Sequence, residues 1–147
     1  MLYNSQQRGL IIDRCWMIYG LVSDKLLPSH EFHIEYPGIV EFALTTGYFQ
    51  FLAEVGRGGH FLHIHEEYKF TEYRLSIQTY VYSVFDKGKA TIIRADSLPH
   101  HRIDHKGQSL SHFPNHLHDA RGRICSFSGQ IEDFIKRSSA ILKDKGN

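Results

Sequence analysis

The sequence predicts an α+β fold: a single twisted antiparallel sheet of about five to six strands, packed by an N-terminal and a C-terminal helix, with a histidine-rich loop at the sheet end. Apolar residues recur with a period of two through the middle of the chain, as in strands that bury one face. At both ends of the chain they recur at the spacing of a helix face. The 147 residues are 41% hydrophobic, which is enough for one core, so we expect a single domain spanning residues 1–147.

The first predicted element is a helix from about Ser5 to Ser23. Ile11, Cys15, Ile18 and Val22 follow the i, i+4, i+7 pattern of one helix face. Further apolar residues widen this face, which favours packing on a broad surface such as a sheet.

Strands are predicted between residues 32 and 96. Apolar and polar residues alternate within each strand, and residues typical of turns separate the strands. Thr45-Thr46-Gly47 predicts one turn, and Gly56, Gly58 and Gly59 predict a flexible loop. The predicted strand segments are Phe32–Tyr36, Val40–Leu44, Phe49–Val55, Phe61–Glu66, Tyr73–Phe85 and Ala90–Asp96.

The connection Asp86-Lys87-Gly88 sets the pairing of the last two strands. A three-residue connection, in which the glycine adopts the left-handed conformation, pairs Arg94 with Tyr80 and Asp96 with Gln78. A two-residue turn shifts the pairing by one residue and aims the Arg94 guanidinium into apolar surroundings, where an unpaired charge is costly. We therefore favour the three-residue connection. It places Arg94 and Asp96 on one polar face, beside Arg74, Ser76, Gln78 and Tyr80.

A closing helix is predicted around Ile131–Leu142, because the apolar residues of this segment share one helical face. Ser126 or Ser128 is available as its N-cap. Acidic residues lie early and basic residues late, as the helix dipole favours. We expect both helices to pack on the same face of the sheet.

The charge, the cysteines and the apolar stretches of the chain bear on nucleic-acid binding, on location and on membrane insertion. The net charge of +1 indicates no general nucleic-acid affinity, although the segment Arg94–Arg123 holds five Arg and Lys against three Asp and becomes locally basic when its histidines are protonated. Cys15 and Cys125 indicate free thiols in a reducing cytosol. Two charged residues interrupt the apolar stretch Leu10–Val22, which is too short to span a bilayer. We therefore expect a cytoplasmic protein.

Histidines are concentrated between residues 94 and 118, which contain six of the 11 in the chain. Pro99, Gly107 and Pro114 interrupt this segment, so it is predicted to be mostly loop. Imidazole exchanges protons near neutral pH and is the commonest metal ligand. Six histidines within 19 residues therefore indicate a site of chemistry: His100, His101, His105, His112, His116 and His118.

Cleavage of an RNA phosphodiester fits these residue types. The reaction needs a base for the 2′-hydroxyl, an acid for the leaving 5′-oxygen and cationic donors for the charge that grows on phosphorus. Two histidines supply the first two functions, and Arg94 supplies the third. Asp96 is a candidate for orienting one imidazole. The candidate proton-transfer residues are His100, His101, His116 and His118. Aromatic residues that could stack on unpaired bases are Tyr48, Tyr73, Tyr80, Tyr82 and Phe113.

Two alternatives use the same residues. His116-x-His118 on an extended segment places both rings on one side, and His112, His101 or Asp96 would complete a metal site. In the structural alternative, the histidines lie in surface turns and Arg94 forms an ordinary strand-end ion pair with Asp96. A separate group is predicted to be a solvated strand edge: His60, His63 and His65.

The order of motifs resembles a known family. The TumE-type toxins of prokaryotic toxin–antitoxin systems carry similar motifs in their C-terminal half, and the strand start Tyr73-Arg74 is also similar. The likeness runs from about Glu31 onward and is specific from Arg94 to His118. Ser97, Asn115 and Leu117 stand where the family commonly has Asn, His and Lys. The matching motifs are Arg94-Ala95-Asp96, Pro99-His100-His101, Phe113-Pro114-Asn115-His116-Leu117-His118, Ser126 and the closing helix.

The resemblance implies a small endoribonuclease toxin that a helix-turn-helix antitoxin protein neutralises. His116 and His118 would be acid and base, with His100 and His101 assisting. RNA would be the substrate, and no cofactor or membrane is expected; a homodimer is left open. The substrate-binding residues would be Arg94, Asp96, Arg74 and Tyr73.

Two other functions remain open at this point. One is a metal-dependent nuclease or phosphodiesterase, with a divalent metal held by His116, His118 and Asp96. The other is a non-enzymatic module that presents its sheet edge or basic loop to a protein partner.

Overall fold

Seven strands form one antiparallel sheet in the order in which they occur along the chain. This computed structural model describes residues 5–26, 28–35, 46–56, 58–71 and 74–144. The predicted α+β fold, with a helix at each end of the sheet, is confirmed. The elements are α1 (Ser5–Lys25), β1 (Pro28–Glu35), β2 (Thr46–Val55), β3 (His60–Thr71), β4 (Arg74–Phe85), β5 (Thr91–Asp96), β6 (His116–His118), β7 (Ile124–Ser126) and α2 (Ile131–Asp144).

The two faces of the sheet have different surroundings, because side chains alternate along each strand. Ile64 of β3, Tyr82 of β4 and Ala95 of β5 are fully buried on one face. Ile18 of α1 and Phe134 of α2 belong to the same hydrophobic core. Both helices therefore pack on one face, as predicted, and the other face is left without a helix.

A buried ion pair fastens α1 to this core. The Arg14 guanidinium donates to both carboxylate oxygens of Glu66, at 2.9 and 2.6 Å. The hydroxyls of Tyr68 and Tyr82 donate to the same carboxylate. Burial, followed by the Glu66 charge, raises the pKa of both tyrosines above its ordinary value. Period-two alternation predicts apolar residues on this face, so the sequence pattern gives no sign of the pair.

The pairing of β4 with β5 corrects the predicted register. Arg94 lies opposite Ser83, not Tyr80, and Asp96 lies opposite Val81. Arg94 and Asp96 still share a face, but it is the face turned away from the helices. Tyr80 is 4% exposed on the helix-covered face. The prediction that Arg94 lies beside Arg74, Ser76, Gln78 and Tyr80 is therefore wrong.

A longer connection between β4 and β5 explains the difference. Five residues, 86–90, separate β4 from β5, and the N–H of Asp86 donates to the carbonyl of Ala90 at 3.0 Å. The pairing also shifts between Val84 and Phe85. Lys89, with a φ of 64°, supplies the left-handed residue that the sequence predicts at Gly88. This conformation is uncommon for a residue with a Cβ. The carboxylate of Asp86 supports it by accepting the N–H of Ala90 at 3.0 Å.

The histidine-rich region is mostly loop, as predicted, but its last residues form the first of two short strands that the sequence does not predict. In β6, His118 pairs with Arg94 and His116 pairs with Asp96. β7 then pairs with β6 and forms the end of the sheet. Each strand has three residues, which is too short for a hydrophobic period to be recognised. Their effect is to bring two histidines beside the strand that carries Arg94 and Asp96.

Some smaller predictions also change. Thr46 and Gly47 lie in β2 rather than in a turn, and Ser126 lies in β7 rather than at a helix cap. Ser128 accepts the N–H of Gln130 at 3.1 Å, just before α2 begins. The predicted strand segment Val40–Leu44 lies outside the described residues.

The described residues also bear on the state of the two cysteines and on whether a helix could cross a membrane. Cys15 and Cys125 are both free, as predicted. Burial is the largest cause that raises the pKa of each thiol. Neither of the two helices in the described part of the chain is long and apolar enough to cross a membrane.

Candidate active site

Four histidines meet on the face of the sheet that the helices leave open. β6 supplies His116 and His118, and the loop 97–115 brings His100 and His101 over them. The centroids of neighbouring rings lie 4.2–5.4 Å apart. One ring nitrogen from each of the four residues lies within 4.8 Å of the other three. These residues are called the histidine cluster below.

His116 lies at the base of the cluster and is fully buried. Its Nδ1 lies 3.0 Å from the carbonyl oxygen of Pro114. A carbonyl only accepts, so Nδ1 carries the hydrogen, and Nε2 is an acceptor in the neutral ring. Nε2 lies 3.3 Å from Oδ1 of Asp96, yet it has no hydrogen-bond partner of adequate geometry among the described residues. Two acceptors thus face each other, and a proton or a cation between them would satisfy both.

Asp96 connects the cluster to Arg94. Its carboxylate is 1% exposed, and it accepts from Arg94 Nε at 3.1 Å and from the N–H of Leu98 at 3.0 Å. The Arg94 side chain is 40% exposed. A guanidinium has five N–H donors, and only the one on Nε is used in this contact. Arg94 is therefore held in place and keeps donors for an anionic ligand.

A groove of about 400 Å³ opens beside these groups. His118 lies directly across from Arg94 in the sheet, where opposing Cβ atoms are roughly 5 Å apart. Arginine and imidazole groups thus face the same space. The groove is lined by Thr91, Arg94, Asp96, His100, His118, Asp119 and Gly122.

The environment favours the neutral form of two cluster histidines. Burial, followed by the neighbouring His116, lowers the pKa of His118. Burial, followed by the neighbouring His100 and His116, lowers the pKa of His101. A neutral imidazole can accept a proton at neutral pH, as a general base must.

Asp119 is a groove residue that does not belong to any predicted motif. It accepts the backbone N–H groups of Arg121 and Arg123 and the Nε–H of Arg123, each at 2.9 Å. Burial alone would raise its pKa, but these donors lower it overall. An Asp followed three residues later by Gly122 is a turn signal, and this signal could have identified the β6–β7 hairpin. The turn positions His118, its neighbour in sequence.

Two predicted substrate-binding residues are not found at the groove. Arg74 begins β4, whereas Arg94 pairs near its end, opposite Ser83. Nine residues of strand separate these positions, or roughly 30 Å. The prediction that Arg74 lies beside Arg94 is wrong. Tyr73 lies outside the described residues.

The residues predicted to stack on bases also lie in different parts of the structure. Tyr80 and Tyr82 are at most 4% exposed, beneath the helices, so the prediction that they stack on bases is wrong. Phe113 is 39% exposed, and the Arg102 guanidinium lies 4.8 Å from its ring centroid. Tyr48 stacks on the ring of His65, with centroids 6.0 Å apart.

The other histidines that the sequence singles out lie outside the cluster. His105 donates from Nδ1 to the carbonyl of Ile124 at 2.8 Å, and His112 is exposed. His63 and His65 lie on β3, inside the sheet, where the Gln50 amide contacts both rings at 3.1 and 3.3 Å. His60, at the start of β3, is 7% exposed. The predicted solvated strand edge is therefore wrong for this group.

The three residues that differ from the TumE-type motif, Ser97, Asn115 and Leu117, all make contacts within the fold. Asn115 accepts the Tyr80 hydroxyl at 2.7 Å, and Ser97 Oγ accepts the N–H of Tyr80 at 3.1 Å. Leu117 is 1% exposed in the core. These side chains hold β6 and the loop before it against the sheet.

No protein-family model, curated protein or solved structure matches this chain. The function is therefore argued from the site, and membership of the toxin family stays a prediction.

Proposed function

We propose that the protein is an endoribonuclease toxin that cleaves RNA by histidine acid–base catalysis, with Arg94 binding the phosphate. The observation that carries this proposal is the meeting of four imidazoles with a half-exposed guanidinium at one groove. The motif order that resembles TumE-type toxins supports the biological role. A cytoplasmic location and a helix-turn-helix antitoxin as partner belong to the same proposal.

The groove suggests a role for each side chain. His118, whose pKa is lowered, removes the proton from the 2′-hydroxyl. The 2′-oxygen then bonds to phosphorus, the bond to the 5′-oxygen breaks, and His100 protonates that oxygen. Free N–H groups of Arg94 donate to the non-bridging oxygens, where charge grows. The products carry a 2′,3′-cyclic phosphate and a 5′-hydroxyl.

His116 and His101 act behind these two groups. The sequence predicts His116 as acid or base, but its ring is fully buried and faces Asp96. We assign it a positioning role, because its ring lies against those of His100, His101 and His118. His101 contacts the rings of both His116 and His118 and supports the same arrangement.

Cleavage of single-stranded RNA in excess EDTA tests the proposal. We expect turnover without added metal, with cyclic phosphate ends. His118→Ala should lower the rate by about 10²–10⁴-fold, the usual contribution of one acid or base. Arg94→Ala should lower it by a similar factor. His112→Ala, which removes an exposed histidine outside the cluster, is the control and should retain the wild-type rate.

Two results would reject the proposal in favour of the alternatives. Complete loss of cleavage in chelator, with recovery on adding a divalent metal, indicates the metal-dependent nuclease. Growth inhibition that survives His118→Ala and Arg94→Ala, with no RNA cleavage by the wild type, indicates the protein-interaction module.

A further inference from the structure

We propose that the histidine cluster binds one transition-metal ion of the zinc class, and that the bound ion inhibits the nuclease. The first half rests on the geometry of the four rings and on the contacts of His116. The second half rests on the proposed function, because it concerns the same imidazole nitrogens.

The spacing of the ligand atoms is close to that of a tetrahedral site. A zinc ion with bonds of about 2.0–2.1 Å holds four nitrogens roughly 3.3 Å apart. In the cluster the four nitrogens lie within 4.8 Å of one another. A small inward shift is therefore needed. His100 is exposed on a loop, so it can make that shift, while His116 and His118 stay fixed on β6.

His116 has the hydrogen bonding of a metal-bound histidine. Ligating histidines usually donate their second ring N–H to a backbone carbonyl or a carboxylate, which fixes the tautomer. Here Nδ1 donates to the Pro114 carbonyl at 3.0 Å. Nε2 is left as a buried acceptor without a hydrogen-bond partner among the described residues. The carboxylate of Asp96, 3.3 Å away, would add negative charge beside a bound cation.

The donor set determines which ions fit. Four imidazole nitrogens suit zinc, cobalt, nickel and copper. Magnesium and calcium prefer oxygen ligands. The site should therefore discriminate strongly against the two hard cations.

The number of ligands predicts inhibition rather than catalysis. Catalytic zinc sites have three protein ligands and leave a fourth position for water, whereas closed sites use four protein ligands. An ion held by all four histidines has no place for a reacting water. It also occupies the lone pair with which His118 would accept a proton and the nitrogen from which His100 would donate one.

Calorimetric titration of zinc chloride into the chelator-stripped full chain tests the site. We expect one ion per chain, and cobalt should give the intense visible absorption of tetrahedral coordination. A residue that only supports a ligand is worth about 10–100-fold in affinity, so loss of a direct ligand in His100→Ala should weaken binding by at least roughly tenfold. His112→Ala should bind as the wild type does. Thermal unfolding of each variant verifies its fold.

The inference fails if zinc does not bind at one per chain, or if His112→Ala weakens binding as much as His100→Ala. In the second case the ion is held by surface histidines in general.

RNA cleavage measured during the same titration tests the inhibitory half. We expect activity to fall in parallel with zinc occupancy, to return with EDTA and to be insensitive to equal magnesium. Activity that rises with zinc would overturn inhibition and indicate metal-dependent hydrolysis. Zinc binding with no RNA cleavage in either form would overturn both inhibition and the proposed nuclease, while the metal site itself would stand.

Discussion

Asp96 is the residue on which the geometry of the candidate site most depends. Its buried carboxylate holds Arg94 Nε, caps the N–H of Leu98 and faces His116 Nε2. A group with this many buried contacts cannot be removed without leaving donors unsatisfied. The sequence predicts the contact with Arg94, since the two residues are two apart on one strand. The contact with His116 requires β6, which the sequence does not reveal.

Two replacements of Asp96 should separate the effect of its hydrogen bonds on stability from the effect of its charge. Asp96→Ala leaves the N–H of Leu98 and Arg94 Nε without their acceptor, so we expect a loss of about 1–3 kcal/mol in the free energy of unfolding. Asp96→Asn keeps an acceptor for Leu98 and should lose less. Urea unfolding at neutral pH measures both. Equal destabilisation by the two variants would show that the charge matters more than the hydrogen bonds.

At the scale of the elements, α1 and the β6–β7 hairpin are held by polar contacts that no hydrophobic period predicts. The Arg14–Glu66 pair fastens α1 to β3. The Asp119 carboxylate closes the hairpin that carries His118. The apolar pattern predicts the existence of α1 and its face, whereas these buried or turn-forming charges determine how the elements are fixed.

The Arg14–Glu66 pair predicts a non-additive mutational effect. Removing one partner of a buried ion pair typically destabilises a protein by about 3–5 kcal/mol, because the other charge is left uncompensated. We expect Glu66→Leu to fall within this range: the Arg14 side chain is 18% exposed, which lessens the loss, but the buried hydroxyls of Tyr68 and Tyr82 also lose their acceptor. The double variant Arg14→Met, Glu66→Leu should be more stable than Glu66→Leu alone. Denaturant unfolding of the single and double variants checks this, and additive losses would argue against a coupled pair.

Asp119 predicts a pH-dependent contribution to stability. Its pKa is lowered in the folded protein, so its contribution is fully present above the unfolded value of about 3.9 and is lost as the pH falls through the folded value. Asp119→Ala should therefore be less stable than the wild type at neutral pH, by about 1–2 kcal/mol for the lost hydrogen bonds. The difference should shrink in acid. Unfolding curves of both proteins at several pH values test this, and a difference that is constant with pH would contradict it.

At the scale of the whole molecule, the sequence predicts the fold class well and the pairing details poorly. The alternation through β2, β3 and β4 and the helical periods of α1 and α2 are long enough to be recognised. The predicted β4–β5 register is wrong because Lys89, not Gly88, takes the left-handed conformation and because the pairing shifts once more between Val84 and Phe85. The density of histidines predicts where the candidate site lies, but the placement of Arg74 fails with the register on which it depends.

We propose that the groove lined by Arg94 and His118 cleaves RNA without metal, with the 2′-hydroxyl of the RNA as the nucleophile. A DNA oligonucleotide with one ribonucleotide, incubated with the full chain in excess EDTA, tests this claim most directly. We predict a single cut on the 3′ side of the ribonucleotide, leaving a 2′,3′-cyclic phosphate, and its loss in His118→Ala but not in His112→Ala. Cleavage at deoxynucleotide positions, or equal cleavage by the wild type and His118→Ala, would contradict the account.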